Sequence, residues 1–130
     1  MNRTLLFFLL LSMAAFAQGQ RLMDASRKTV GYIEDGRVMN GSRGTIGYID
    51  GERVMDGSRR TIGYVEDGRV MNSSRSTVGY IDGERVMNAS RTTIGYVDGE
   101  SVMDGSRRTM GYMEGVRRRD AVVFFFFFFY

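Results

Sequence analysis

The feature that most constrains this chain is a sixteen-residue repeat, which runs without insertion or deletion through six copies. One column of the repeat is glycine throughout: Gly31, Gly47, Gly63, Gly79, Gly95 and Gly111. Short near-identical units can bury apolar surface only by packing against one another. We therefore expect a repeat fold in which a single unit is unstable alone and stability rises with the number of units.

Each unit has the pattern of a β-hairpin. In the unit spanning 53–68, a short run at Val54 and Met55 precedes a longer run, 61–65, that is rich in β-branched and aromatic residues. Such residues suit a pleated strand, and the 56–58 segment (Asp-Gly-Ser) between the runs is typical of a tight turn. We expect an all-β fold of tandem sixteen-residue hairpins.

A second turn follows each long run, and its glycine moves by one place between units. The sequence Glu66-Asp67-Gly68 alternates with the Asp50-Gly51-Glu52 type, while the unit length stays constant. A small change of turn type is the simplest interpretation.

The strands carry apolar groups on both faces. Because side chains alternate along a strand, Ile62 and Tyr64 share one face, whereas Gly63 and Val65 share the other. A sheet of this kind requires cover on both sides or a closed arrangement. A glycine inside a strand marks a bulge or a close backbone approach, so six such glycines would let six strands converge on one axis.

The two ends of the repeat region are complementary half-units. Pairing Leu22 and Met23 with the 110–112 segment would close the array into a ring and remove its free sheet edges. An open stack of hairpins is the competing arrangement. The predicted fold is therefore a closed or nearly closed, flower-like or propeller-like array.

The first residues have the pattern of a secretion signal. Asn2 and Arg3 are followed by the apolar run 4–13 and by the small-residue pattern Ala15-Phe16-Ala17. The apolar run is shorter than the ~20 residues of a membrane-spanning helix. We expect a signal peptide at 1–17, a six-repeat domain at 18–116, and a basic linker with a Phe-rich tail at 117–130. The expected location is the periplasm, outer membrane or surface of a Gram-negative bacterium.

Composition argues against most catalytic chemistry. The chain contains no cysteine, histidine, tryptophan or proline, which excludes sites built on thiolate or imidazole. Without Arg3 it carries 17 basic and 15 acidic residues, a balance that does not favour a nucleic-acid partner. The acidic turns do not match a calcium-binding loop, and hydrolysis by turn carboxylates is the weakest hypothesis. We expect no enzyme activity, no cofactor and no metal.

Arginine and tyrosine columns are the candidate ligand surface. In a closed ring each arginine column would form a circle of positive charge beside tyrosine faces, suited to an anionic glycan or another polyanion. The residues selected on this basis are Arg43, Arg59, Arg75, Arg91, Tyr48, Tyr64, Tyr80 and Tyr96. Solvated, ion-paired arginines are the simpler alternative.

The aromatic tail has two interpretations. It consists of Phe124, Phe125, Phe126, Phe127, Phe128, Phe129 and Tyr130, and the four residues 120–123 separate it from three arginines at 117–119. It would either make peripheral contact with a membrane through basic and aromatic groups, or pack into the axis of the array. We favour packing, because an uncharged segment of high β-propensity must be covered to avoid aggregation.

The repeat and the tail together resemble the small secreted bacterial proteins called five-fold β-flower proteins. The resemblance is carried by 36–42 (GRVMNGS) with 46–49 (IGYI), and by 121–124 (AVVF) ahead of the remaining phenylalanines. It implies hairpins arranged about a central axis, although this chain has six units where the family name gives five. It implies no activity. We expect an exported structural or interaction module of the cell envelope that binds an envelope protein or glycan; the alternative is a carbohydrate-binding or polyanion-binding protein.

Overall fold

The computed structural model describes residues 20–130, and the predicted signal peptide lies outside the described residues. Short and long strands alternate, and a helix follows them. The strands are β1 (Arg21–Asp24), β2 (Thr29–Glu34), β3 (Arg37–Asn40), β4 (Thr45–Asp50), β5 (Arg53–Asp56), β6 (Thr61–Glu66), β7 (Arg69–Asn72), β8 (Thr77–Asp82), β9 (Arg85–Asn88), β10 (Thr93–Asp98), β11 (Ser101–Asp104) and β12 (Thr109–Glu114). An α-helix, α1 (Arg118–Val122), continues into a π-helix, π1 (Val123–Phe128).

The sheet is a closed antiparallel ring. Each strand pairs with its neighbours in sequence, and β1 pairs with β12. At this seam Leu22 lies opposite Met113 and Met23 opposite Tyr112, while Arg21 donates a hydrogen bond from Nη2 to Glu114 Oε1 at 3.1 Å. The predicted all-β, closed array is confirmed, and every strand has two partners.

Two-residue turns connect each long strand to the next short strand. In one type Asp35 and Gly36 both have positive φ, 51° and 79°, as a type I′ turn requires. In the other type Gly51 has a φ of 62° and Glu52 is not in the positive-φ region, as in a type II′ turn. The glycine therefore moves by one place because the turn type changes while the loop length is kept.

Asx turns connect each short strand to the next long strand. The Oδ1 of Asp56 accepts hydrogen bonds from the backbone N–H groups of Ser58 and Arg60, at 2.9 and 3.0 Å. Asn40, Asn72 and Asn88 accept the equivalent pairs of hydrogen bonds. The turn needs only an acceptor oxygen, so aspartate and asparagine are interchangeable there.

The core lies inside the ring and includes the end of the chain. Inward residues such as Val38 and Val54 are fully buried, as are Ala121 and Val122 of α1. The sequence suggests a linker and a tail for 117–130. In the structure residues 118–128 of this segment form the α1–π1 helix, which packs against the apolar residues inside the ring.

Candidate functional site

The lumen of the ring holds one phenylalanine for every unit. The ring of Phe128 lies over Gly63, where an added Cβ would be 2.3 Å from Phe128 Cζ and 2.6 Å from the carbonyl oxygen of Met71. The pairs are Phe124 with Gly31, Phe125 with Gly111, Phe126 with Gly95, Phe127 with Gly79, Phe128 with Gly63 and Phe129 with Gly47. The glycine column is therefore required by the aromatic rings, which occupy the space that side chains would fill.

Successive phenylalanines contact successive units, in the order opposite to the chain. Neighbouring units of a six-membered ring are separated by about 60°, whereas an α-helix rotates by about 100° per residue. A π-helix has i to i+5 hydrogen bonds and more residues per turn, so it rotates less per residue. The N–H of Phe129 donates such a bond to the carbonyl oxygen of Phe124 at 3.3 Å. The π-helix thus brings six consecutive side chains closer to the spacing of the units.

On the outside of the ring, an arginine stacks on a tyrosine in every unit. The distance from the arginine Cζ to the ring centroid is 3.8 or 3.9 Å. The pairs are Arg27 with Tyr112, Arg43 with Tyr32, Arg59 with Tyr48, Arg75 with Tyr64, Arg91 with Tyr80 and Arg107 with Tyr96. The two predicted columns therefore form one layer, and a guanidinium covers a face of each tyrosine that was predicted as a stacking surface.

Each stacking arginine has a left-handed backbone. Arg59 has a φ of 67°, and the other five lie between 64° and 67°. This conformation costs a residue with a side chain about 1–2 kcal/mol. The Asx turn fixes the backbone, since the Arg59 N–H donates to the carbonyl oxygen of Asp56 at 3.0 Å, and the cation–π contact offsets part of the strain.

Only two of the six stacked arginines also bind a carboxylate. Arg43 donates to Glu34 at 3.2 Å and Arg75 to Glu66 at 3.0 Å, and the hydrogen bond that Glu66 accepts raises the pKa of Arg75. Within residues 20–130, the other four have no carboxylate oxygen within 4.0 Å: Arg27, Arg59, Arg91 and Arg107. For three of these, the position equivalent to Glu34 is an aspartate, whose side chain is one methylene shorter.

Comparison with protein families identifies this architecture. A model described as "5-fold beta-flower protein" matches residues 19–129. The chain belongs to the β-flower family. The match covers all six hairpins and the phenylalanine helix, so the resemblance seen in the sequence is confirmed. Searches among curated proteins and solved structures found no match.

Two equivalent grooves lie between neighbouring hairpins of this β-flower. The first, with a volume of about 430 Å³, is lined by Asp35, Arg37, Tyr48, Asp50 and Arg59 among others. The second, of about 400 Å³, is lined by the equivalent residues of the units two positions later. Both grooves present carboxylates and guanidinium groups together, a combination that suits hydroxyl-rich or mixed-charge ligands.

The topology separates charge between the two ends of the β-flower. All six Asx turns lie at one end, which we call the basic end, and all the I′ and II′ turns lie at the other, the acidic end. The basic end carries nine arginine or lysine residues and three aspartates, giving +6. Its basic residues are Arg27, Lys28, Arg43, Arg59, Arg60, Arg75, Arg91, Arg107 and Arg108, all of them exposed.

The acidic end has the reverse composition. It carries eleven aspartates or glutamates and five arginines, giving −6, and the adjacent segment 117–120 adds three arginines and Asp120. Asp120 is only 5% exposed and forms ion pairs with Arg117 and Arg119 at 3.1 and 3.4 Å. The net charge of +2 in residues 20–130 thus conceals two ends of opposite sign. This charge separation can be seen in the sequence when the charged residues are grouped by the type of turn in which they lie.

The phenylalanine layer lies at the basic end. Gly31 is opposite Asn40, the residue that begins an Asx turn, whereas the buried Ile33 is two residues nearer the acidic end. The chain enters the lumen from the acidic end after β12, so Tyr130 comes last, at the basic end. Tyr130 is 62% exposed, and Phe126 to Phe129 are half-buried. The centre of the basic end is therefore aromatic.

Neither a metal cluster nor a spanning helix is found in the part of the chain that the structure describes. Within residues 20–130, no three acidic side chains are grouped closely enough to hold a metal ion. No helix in the same range is long and apolar enough to cross a membrane.

Proposed function

We propose that this β-flower is an exported, non-catalytic interaction module of the bacterial cell envelope. The observation that carries the proposal is that the chain's own phenylalanine helix fills the lumen. Partners must then use the outer surface, where six units repeat one arrangement of charged and aromatic groups. Several weak, identical contacts on a rigid ring add up to strong binding when the partner is itself repetitive.

Export is tested by fractionating cells that express the tagged chain. We expect mature protein in the envelope fractions, with cleavage after Ala17 shown by N-terminal sequencing. A matched chain lacking residues 2–17 should stay in the cytoplasm. Recovery of both chains in the cytoplasm would contradict the proposal.

Interaction is tested with purified mature protein and isolated envelopes. We expect saturable binding that unlabelled protein displaces. Non-saturable binding, or binding equal to that of an unrelated protein of similar charge, would remove the proposal.

A second candidate function is binding of a carbohydrate or another polyanion. Two observations favour it: among the described residues, four stacked guanidinium groups have no carboxylate partner, and each of the two grooves includes one of these four. We expect glycan-array signals that fall in the Arg59→Gly/Arg91→Gly variant, since glycine accepts the left-handed backbone. The matched control is Arg53→Ser/Arg85→Ser, which removes the same charge from residues outside the groove linings. Equal signals from the two variants would exclude the grooves.

A further inference from the structure

We propose that the basic end of the β-flower docks on a membrane surface rich in anionic phospholipid. The inference rests on the proposed function, for which it names the contact surface and the partner. It follows from two independent observations at the same end of the ring, one of charge and one of aromatic exposure.

The first observation is the concentration of positive charge. All nine basic side chains of this end are exposed. Its three carboxylates are half-buried, and each accepts two backbone hydrogen bonds within its Asx turn, as Asp24 does from Ser26 and Lys28. Lys28, Arg60 and Arg108 have no ion pair or aromatic stack within residues 20–130. The six stacked arginines lie over tyrosines on the outside of the ring, and Arg43 and Arg75 also pair with Glu34 and Glu66. Lys28, Arg60 and Arg108 are therefore the cations of this end whose charge is not matched locally within the described residues.

The second observation is the aromatic centre that the cations surround. Tyr130 lies 5.0 Å from the Phe125 ring and 6.1 Å from the Phe124 ring, centroid to centroid, and so covers the two buried members of the layer. The other four phenylalanines are half-buried. Aromatic rings are enriched at the membrane–water interface, where basic side chains meet lipid phosphates.

A planar partner fits this arrangement better than a linear one. The six Asx turns form the rim of a closed ring. The unstacked cations of this rim, Lys28, Arg60 and Arg108, belong to three different turns around the aromatic centre. A flexible anionic polymer would pair with the cations but would leave the aromatic centre in water. A bilayer satisfies both, since anionic headgroups attract the rim and the interfacial region accepts Tyr130. The six phenylalanine rings are packed against the glycine column inside the ring. They therefore stay in the lumen, and the contact with the membrane is peripheral.

The experiment measures binding of mature protein to vesicles. Because the chain has no tryptophan, Tyr130→Trp supplies a unique fluorescent reporter at the aromatic centre. We expect a blue shift and co-sedimentation with vesicles of phosphatidylglycerol and phosphatidylcholine. We expect neither with phosphatidylcholine alone, and binding should weaken as salt is added.

Two triple variants that each remove three positive charges distinguish an effect of the basic end from an effect of net charge. The first is Lys28→Ser/Arg60→Ser/Arg108→Ser, at positions where other units carry glycine, serine or threonine. The second is Arg37→Ser/Arg53→Ser/Arg85→Ser at the acidic end, where the last unit has Ser101. We expect the first variant to lose affinity for anionic vesicles by roughly a hundredfold, and the second to change little.

Three outcomes would overturn the inference. They are equal losses in the two triple variants, equal binding to neutral and anionic vesicles, and no vesicle binding by the unmodified chain. Binding to a soluble anionic polysaccharide without vesicle binding would also reject the lipid surface. If saturable binding to envelopes persists in that case, the proposed function stands and only the lipid assignment fails.

Discussion

Replacing one lumen glycine by alanine tests whether the phenylalanine helix shapes the repeat. In Gly63→Ala the new methyl group would lie 2.3 Å from Phe128 Cζ and 2.6 Å from the Met71 carbonyl oxygen. The phenyl ring can tilt, but the carbonyl oxygen belongs to the paired strand β7 and can move only with its backbone. Overpacking of this kind costs about 1–3 kcal/mol, and we expect a value near the upper limit, about 2–3 kcal/mol.

Gly57→Ala is the matched control. Its new methyl group would lie 3.5 Å from the Thr45 carbonyl oxygen, an ordinary contact, and the equivalent residue is alanine at Ala25 and Ala89. We expect a change in unfolding free energy of less than about 0.5 kcal/mol. Urea denaturation of both variants, followed by circular dichroism, gives the two values.

A double-mutant cycle with Phe128→Ala identifies the cause. Removing the ring should lower the cost of Gly63→Ala by about 1 kcal/mol or more, while the contact with Met71 keeps the remaining cost above zero. The reasoning is refuted if Gly63→Ala is as stable as Gly57→Ala. It is also refuted if Gly63→Ala costs the same in the presence and in the absence of Phe128.

Three further predictions follow from the repeat. Deleting residues 61–76 should leave a five-unit ring that is more stable when one phenylalanine of 124–129 is deleted as well, because rings and units pair one to one; equal urea midpoints would contradict the pairing. Arg59→Ala should lower the unfolding free energy by about 1 kcal/mol more than Arg59→Gly, because both lose the stack but only alanine keeps the left-handed strain; the reverse order in thermal denaturation would disprove it. Asp56→Asn should be neutral and Asp56→Ala should cost about 1 kcal/mol, since the amide replaces the Oδ1 acceptor and the methyl group does not; equal melting temperatures of the two variants would argue against it.

The sequence predicts the hairpins and the closure, because period, turn chemistry and alternation are local signals. The expected convergence of six strands at the glycine column is wrong, because phenylalanine rings occupy the space beside those glycines. The sequence does not predict the helix at 123–128. A phenylalanine run favours a strand by intrinsic preference, but every strand of the ring already has two partners. A further strand in the lumen would leave its backbone groups unpaired, whereas a helix satisfies them internally. Tertiary surroundings thus override local preference.

The outer surface is predicted only in part. The arginine and tyrosine columns are visible in the sequence, but the stack joins Arg43 to Tyr32, eleven residues earlier and two strands away in the ring. That contact depends on the left-handed turn at Arg43, a conformation that sequence rarely reveals for a residue other than glycine. The charge separation between the two ends can be derived from the sequence. Once the ring is assumed to close, the order of the turns assigns each charged residue to one end.

The seam between β1 and β12 makes ring closure depend on synthesis of the last strand. Strand β1 is synthesised about ninety residues before its partner β12, as the ion pair of Arg21 with Glu114 across 93 positions illustrates. Contacts so distant in sequence slow folding, and the helix that fills the lumen is made after the last strand. A nascent chain would therefore carry an unpaired edge and an empty interior until residues 109–130 have been made, so holdase chaperones and premature termination should affect its yield more strongly than they affect proteins that fold unit by unit.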